Sequence, residues 1–404
     1  MAPKKKMLDI GNYEDLATHT ASSLVSHLVI VDDPRGNQGK MHVFNDILAI
    51  IILGTICGCD DAERLQDWAQ KEQEWLSRFL FLPHGIPSQD TYLRALAAID
   101  PAAFSAAFIG WAQELYSMMG LKGQIAVDGK TARGAQQSDQ TKNSVHMVSA
   151  LACEAGLVLG QRRTGEKSNE IVAMPELLAQ LNLKGELVSI DAMGCQTEIA
   201  EHIVSHGGDY LFGLKDNQPT LHEEAQAAFA EARCQRKRSI EESAPPKIET
   251  CESVDGGHGR IETRRATVCT GFEEWVPSAS RFRELKALIE IQSERVDKST
   301  GEVKRETRHY ISSRPLTASE ANDAVRNHWL IENRLHWCLD VTFNEDACRI
   351  RKGHAAENLV VIRHFAISIL RQYAGDNYSI TRRRRLCDYN RNYRLHLMSS
   401  VLAH

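Results

Sequence analysis

The stretch from Gln124 to Lys215 most constrains what this chain can fold into. Gln124–Gly129 is a short apolar run that ends in an acid, Asp128. Ser144–Cys153 and Leu157–Arg163 are two more strand-like runs, joined by the turn signal Glu154-Ala155-Gly156. A helical pattern around Ile171–Leu181 follows, then a strand Leu187–Asp191, a helix Thr197–His206 and a strand Tyr210–Lys215. Three sequential strands followed by alternating helix and strand predict an α/β mixed sheet with helices on both faces.

The flanks read differently. Residues 1–120 read as a helical N-terminal domain without obvious chemistry, for which a structural role is the default and DNA end binding the alternative. Its periodic segments are Asn12–Val31, His42–Cys57, Asp60–Phe81, Ser88–Ala98 and Pro101–Met119, with Ser88 as a candidate cap. Arg35, Lys40, His42 and Arg94 are its candidate DNA-facing groups. The apolar run Ile47–Cys59 is too short to span a bilayer and is expected to be a buried helix, so no membrane is implied. Residues 121–217 are the first part of the core. Residues 218–308, with strand-like runs at Ile261–Cys269 and Leu285–Ser293, read as a β-rich insertion. Residues 309–375 are a helical completion of the core, including an amphipathic helix Ala355–Tyr373. Residues 376–404 are a basic tail.

Net charge is −5, which excludes a generally basic DNA-coating protein and makes any nucleic-acid surface local. The basic places are Met1-Ala-Pro-Lys4-Lys5-Lys6 and Arg382-Arg383-Arg384-Arg385. The second, interleaved with Tyr389 and Tyr393, is a candidate phosphate-binding run. Ten cysteines without a CxxC pair read as reduced thiols in a cytoplasmic protein.

Two acids close apolar strands: Asp128 in Ala-Val-Asp128-Gly-Lys130 and Asp191 in Val-Ser-Ile-Asp191. A carboxylate there is costly unless it is paired or holds a cation. A third acid, Glu332, stands in a helix-like stretch where His328, Glu332 and His336 recur every four residues beside an apolar stripe of Trp329, Leu330, Leu335 and Leu339. The element order is that of the RNase H-like fold, in which the first strand, the fourth strand and a later helix bring acids together. Asp128, Asp191 and Glu332 sit at those places, with Asp340 the competitor for the third. Three such acids can hold two Mg²⁺ ions, with Mn²⁺ as a substitute, about 4 Å apart.

Several blocks then resemble one family. They are Asp128-Gly-Lys-Thr-Ala-Arg133-Gly, His146-Met-Val-Ser-Ala, Lys167-Ser-Asn-Glu170-Ile, Ile190-Asp191-Ala-Met-Gly-Cys-Gln196, Gly208-Asp-Tyr-Leu-Phe-Gly-Leu-Lys215-Asp-Asn217-Gln218 and His328-Trp-Leu-Ile-Glu332-Asn-Arg-Leu-His-Trp337. Together with Asp33-Pro-Arg-Gly36 and Gly85-Ile-Pro-Ser-Gln-Asp-Thr91, they resemble insertion-sequence transposases of the ISAs type, the DDE branch that includes the H-repeat-associated proteins. The resemblance implies an Mg-dependent transposase that cleaves the terminal inverted repeats of its element and joins them to target DNA, working as a homodimer or larger. It carries the catalytic and metal-binding triad to Asp128, Asp191 and Glu332. Relatives with a β-rich insertion often place Tyr, Arg, Glu and Lys around the glutamate; here those positions hold Val325, His328, Glu332 and Leu339.

Lys130, Arg133, Lys215 and Asn217 lie near strand ends where DNA would pass, and phosphate contact competes there with plain solvation. His328 and His336 read as hydrogen-bonded positioning residues, with His328 the one cation-capable group at its position. Trp275 is a packed core residue or a base-stacking one. A DNA-binding descendant without activity and a plain metal-dependent nuclease are the competing functions.

Overall fold

The run Gln124-Ile-Ala-Val127, with β-branched Ile125 and Val127, forms the inner half of β1 (Gln124–Ala132), and its residues are buried. β1 lies parallel to β4 (Leu187–Ile190), which lies parallel to β5 (Asp209–Leu214). β2 (Val145–Ala152) and β3 (Leu157–Thr164) form the antiparallel hairpin expected across Glu154–Gly156, with Gly156 at φ 63°. β6 (Lys247–Gly257), β7 (Arg260–Thr270), β8 (Ala287–Asp297) and β9 (Val303–Ser312) are consecutive antiparallel strands. One mixed nine-stranded sheet results, in the order β3-β2-β1-β4-β5-β9-β8-β7-β6.

This computed structural model describes residues 10–36, 40–132, 145–164, 170–234, 245–257 and 259–402. The basic run Lys4–Lys6 and Arg133 lie outside them. Among the described residues there are thirteen α-helices, so the protein is a mixed α/β structure. The first six, in chain order, are α1 (Ile10–Leu28), α2 (Phe44–Ile56), α3 (Ala62–Lys71), α4 (Gln73–Leu76), α5 (Gln89–Ala98) and α6 (Pro101–Met119); they fall within the five periodic segments to within two residues, except that Asp60–Phe81 is broken into α3 and α4. Asp61 caps α3 by accepting from the Arg64 amide at 2.8 Å, and Asp100 caps α6 ahead of Pro101. Ser88 stands at the start of α5, yet its hydroxyl is paired with the Thr91 hydroxyl at 3.1 Å and bonds no helix amide. No single helix among the described residues is long and apolar enough to cross a membrane, and α2 is a buried core helix. All ten cysteines are free thiols.

The chain divides into two compact units: residues 1–121, 129–167 and 332–404, and residues 122–128 and 168–331. In the second unit α7 (Glu170–Leu178), α8 (Thr197–Ser205) and α9 (Pro219–Arg233) join the strands. The β-rich stretch is no separate layer there, because β9 pairs antiparallel with β5, Leu211 opposite Ser312. Its inner face, Ala266, Val268, Ile289, Ile291 and Tyr310, packs on Ala321, Ala324 and Val325 of α10 (Ala318–His328).

In the first unit α11 (Ala355–Gln372) is buried along almost its whole length. α12 (Ile380–Tyr389) and α13 (Arg391–Ser399) follow it. The basic tail is therefore helical in its described part, with some of its charge inside the fold. Arg383 donates to the Leu370 carbonyl at 2.6 Å and pairs with Asp376, and Arg384 donates to the Thr342 carbonyl at 2.8 Å and pairs with Asp60 at 2.5 Å. Both are buried, whereas Arg382 and Arg385 are exposed.

α2 also buries Asp46, at 5% exposure, with one carboxylate oxygen lacking a hydrogen-bond partner. Burial pushes this carboxyl up to about 6. A raised acid keeps its proton in the fold after the unfolded chain has lost it, so stability falls as pH rises from about 4 to 6. Asp46→Asn is expected to flatten that slope and stabilise the protein at pH 7, by at most about 3 kcal/mol. Urea unfolding of both proteins at pH 4 and pH 7 checks it; equal midpoints at pH 7 refute it.

Candidate active site

In the second unit, the β1–β4 pairing ends with Val127 opposite Ile190, so Asp128, midway along β1, and Asp191, just past β4, stand at the same level. Adjacent strands are about 4.8 Å apart, so the two residues are neighbours across the sheet. The Asp191 Oδ1 accepts from the Met193 amide at 3.0 Å and the Gly194 amide at 3.4 Å, capping the short 3-10 turn Ala192–Gly194. Burial raises the Asp191 carboxyl above its ordinary range; the nearby Glu170 adds to this, and Lys215 opposes it. A half-desolvated carboxylate beside a second acid is a fit setting for a divalent cation, because the cation offsets both penalties.

The turn that carries Asp191 is held from several sides. β5 passes beneath it at Gly213, where a Cβ would stand 3.0 Å from the Ala192 nitrogen. Only glycine fits without moving the turn. Asn217 donates to the Ala192 carbonyl and, at 3.4 Å, to that of Cys195, which also accepts from Gln218 at 3.0 Å. Asn217, expected to meet DNA, is thus committed to positioning. His328 is positioning too: its Nδ1 lies 3.1 Å from the Ser189 hydroxyl, two residues before Asp191. Lys215 is exposed at the end of β5. Trp275 is only partly buried.

The first unit holds the remaining candidates. The helix read across His328–His336 is not one regular α-helix. α10 ends at His328, and Ile331–His336 and Cys338–Thr342 are π-helical. Wider turns of this kind recur at functional sites. They also correct the apolar stripe: Ile331, Leu335 and Leu339 are buried, whereas Trp329 is exposed. Glu332 is 57% exposed and bonded to buried His336, Nδ1 to Oε2 3.0 Å. That hydrogen bond holds its carboxyl below the usual range, so Glu332 is ionised at neutral pH. Asp340 is occupied: the Lys130 ammonium lies 2.6 Å from its Oδ1 and 3.9 Å from the buried Glu345, which Arg363 also approaches at 3.3 Å. Sequence reading did not find Glu345, since its environment is set by residues 18 to 215 positions away.

Residues 120–369 match the family model of the transposase DDE domain, and residues 25–112 that of its associated domain, DDE_Tnp_1-associated. The "H repeat-associated putative transposase YhhI" of Escherichia coli K12 is 38% identical over 382 residues, covering 94% of this chain and 97% of that one. The "putative transposase YncI" of Escherichia coli O157:H7 is 39% identical over 376 residues, covering 92% and 93%. A solved piggyBac transposase synaptic complex with hairpin DNA is similar at a TM-score of 0.40 and 10% identity, covering 98% of this chain and 82% of that one. A likeness that loose carries no weight for the fold.

A domain model that covers most of the chain, on a mixed α/β structure, defines a polynucleotidyl-transferase class of protein. This chain belongs to the DDE transposases, a family that generally uses divalent metal ions, and it is a DNA transposase.

Proposed function

We propose that Asp128, Asp191 and Glu332 together hold two Mg²⁺ ions, replaceable by Mn²⁺, and that the protein cleaves the terminal inverted repeats of an insertion sequence and joins them to target DNA. The observation that carries this reading is that Asp128, midway along β1, and Asp191, just past β4, stand at the same level on neighbouring parallel strands in a chain of this family. When bound, such ions activate the attacking oxygen and stabilise the leaving one of a phosphodiester.

The chain's own residues supply the rest. Met193 and Gly194 amides, Asn217 and Gly213 fix the Asp191 turn. His336 keeps the Glu332 carboxylate ionised and oriented. Lys215, Arg382 and Arg385 are exposed cations suited to phosphates. On this reading β1, β4 and β5 belong to an RNase H-like core. The protein works in the cytoplasm on the nucleoid, as a homodimer or larger, because two element ends must be processed together.

The test is purified full-length protein on a labelled terminal-repeat duplex with a target plasmid. Mg²⁺ should give nicks at the repeat and joined products, EDTA neither. Binding without cutting in Mg²⁺ or Mn²⁺ would make this a DNA-binding descendant and overturn the reading. Cutting without repeat preference or joining would make it a nuclease.

A further inference from the structure

Asn217 and Gln218, whose side-chain amides hold the Asp191 turn, are the last residues before α9, and Gln218 is its N-cap. Residues 215–218 join β5 to this helix, so whatever docks the start of α9 also places the two amides. Apolar packing at this end of the helix is thin: Leu221 and Ala225 are the buried apolar residues of its first two turns. A polar array completes the docking.

His222 stands one turn into α9, its backbone amide donating to the Gln218 carbonyl at 2.9 Å. Its Nε2 lies 3.0 Å from the Nδ1 of His309 on β9, and the Gln226 side-chain amide is 3.1 Å from the same Nε2. The His309 Nε2 is in turn 3.3 Å from the Glu290 Oε2. Arg233, at the far end of α9, donates to the Glu290 Oε1 at 2.5 Å. His309 and Glu290 are buried, at 8% and 5% exposure, and Glu290 lies opposite His309 across β8 and β9.

The charges of this array are set by its own partners. Burial works against the Glu290 charge, but hydrogen bonds from His309 and Arg233 hold its carboxyl below the usual range. An ionised carboxylate only accepts, so the His309 Nε2 carries a proton and a single N–H···N bond joins its Nδ1 to His222. Burial pushes the His222 imidazole down and His309 adds to this, while Asp216 and Glu223 oppose it. Two cationic rings therefore do not face each other at neutral pH. His309 thus grips both ends of one loop. Its backbone pairs with Leu214, the last residue of β5, and its ring holds His222. Tying both ends of a short loop to one residue leaves the chain between them few shapes.

We propose that His309 and His222 are positioning residues for Asp191: their bond closes the loop 215–218 into the shape that puts Asn217 and Gln218 on the Ala192 and Cys195 carbonyls. The consequence for catalysis rests on the reading of Asp191 as a metal ligand. The closure itself belongs to the metal-free chain.

The experiment compares amide hydrogen exchange in metal-free full-length wild type, His222→Leu and His222→Gln, and then the Mg²⁺ dependence of end cleavage. Leucine fills the space without a hydrogen bond. It should raise exchange about tenfold in peptides covering 192–195 and 215–218, while those of β7 and β8 keep wild-type rates. An amide at 222 can stand on either side of the bond to His309, so His222→Gln should keep exchange slow. In cleavage, His222→Leu should need about tenfold more Mg²⁺ for half-maximal rate, and His222→Gln should match wild type. Terminal-repeat affinity in EDTA should stay within about twofold in both. Because His222 is only partly buried, both variants should keep the wild-type circular dichroism. Unchanged exchange in His222→Leu, or an equal rise in His222→Gln, would overturn the proposal. Raised exchange with an unchanged Mg²⁺ requirement would sever the loop from Asp191 and overturn it too. The two readings fail separately: exchange is scored without metal or DNA, and end cleavage by wild type only with both.

Discussion

Asp191→Asn should bind terminal-repeat DNA with wild-type affinity and lose strand cleavage by about a thousandfold or more. The amide keeps the carboxylate's shape and can still accept from the Met193 and Gly194 amides, so the turn should stay in place. What is lost is the negative charge that a divalent cation needs. Burial already disfavours that charge in the protein alone, so the variant should unfold at an equal or higher urea concentration. Loss of cleavage with no loss of stability is a signature that a merely structural acid cannot produce. Glu332→Gln should behave likewise, whereas Asp340→Asn, whose partner is Lys130, should keep cleavage within about tenfold. Equal cutting by Asp191→Asn and wild type removes Asp191 from the site; loss in Asp340→Asn with retention in Glu332→Gln exchanges the third ligand.

The two acids were legible because a buried strand segment reads as an unbroken apolar run and the acid that follows it stands out, although β1 continues past Asp128 to Ala132. Ile-Ala-Val-Asp128 and Val-Ser-Ile-Asp191 need no long-range information. β6 and most of β9 were not legible. Lys247–Gly257 is an exposed edge strand, and the first half of β9, Val303–Thr307, is exposed and charged, so neither shows the apolar alternation on which strand reading depends. The π-helical winding at Ile331 escaped for a different reason. Sequence spacing assumes 3.6 residues per turn, and nothing in Ile-Glu-Asn-Arg-Leu-His announces a wider turn. The roles of Asn217 and His328 were equally hidden, because their partners Ala192 and Ser189 are backbone or small groups brought near only by the sheet.

The arginines of the C-terminal helices make the same point energetically, and the strongest stability effect is expected there. Arg394 is 1% exposed, donates to the Cys387 carbonyl at 2.9 Å, ion-pairs with Glu72 and lies 5.2 Å from the Trp75 ring centroid. Glu72 is itself buried, at 7% exposure. Removing one partner of a buried pair strands the other charge, which typically costs about 3–5 kcal/mol, far more than a surface arginine. Arg394→Met should therefore lower the urea midpoint sharply, while Arg385→Ala, on the exposed face of α12, should leave it nearly unchanged. Glu72→Gln combined with Arg394→Met should recover much of the loss, because the neutral amide no longer leaves an uncompensated carboxylate. If Arg394→Met unfolds like wild type, the pair is not what docks α13. If the double variant is no better than the single, the guanidinium acts through Trp75 and the Cys387 carbonyl instead of through charge. Either way, a run that reads by composition as a phosphate-binding tail spends half of its arginines, Arg383 and Arg384, inside its own fold.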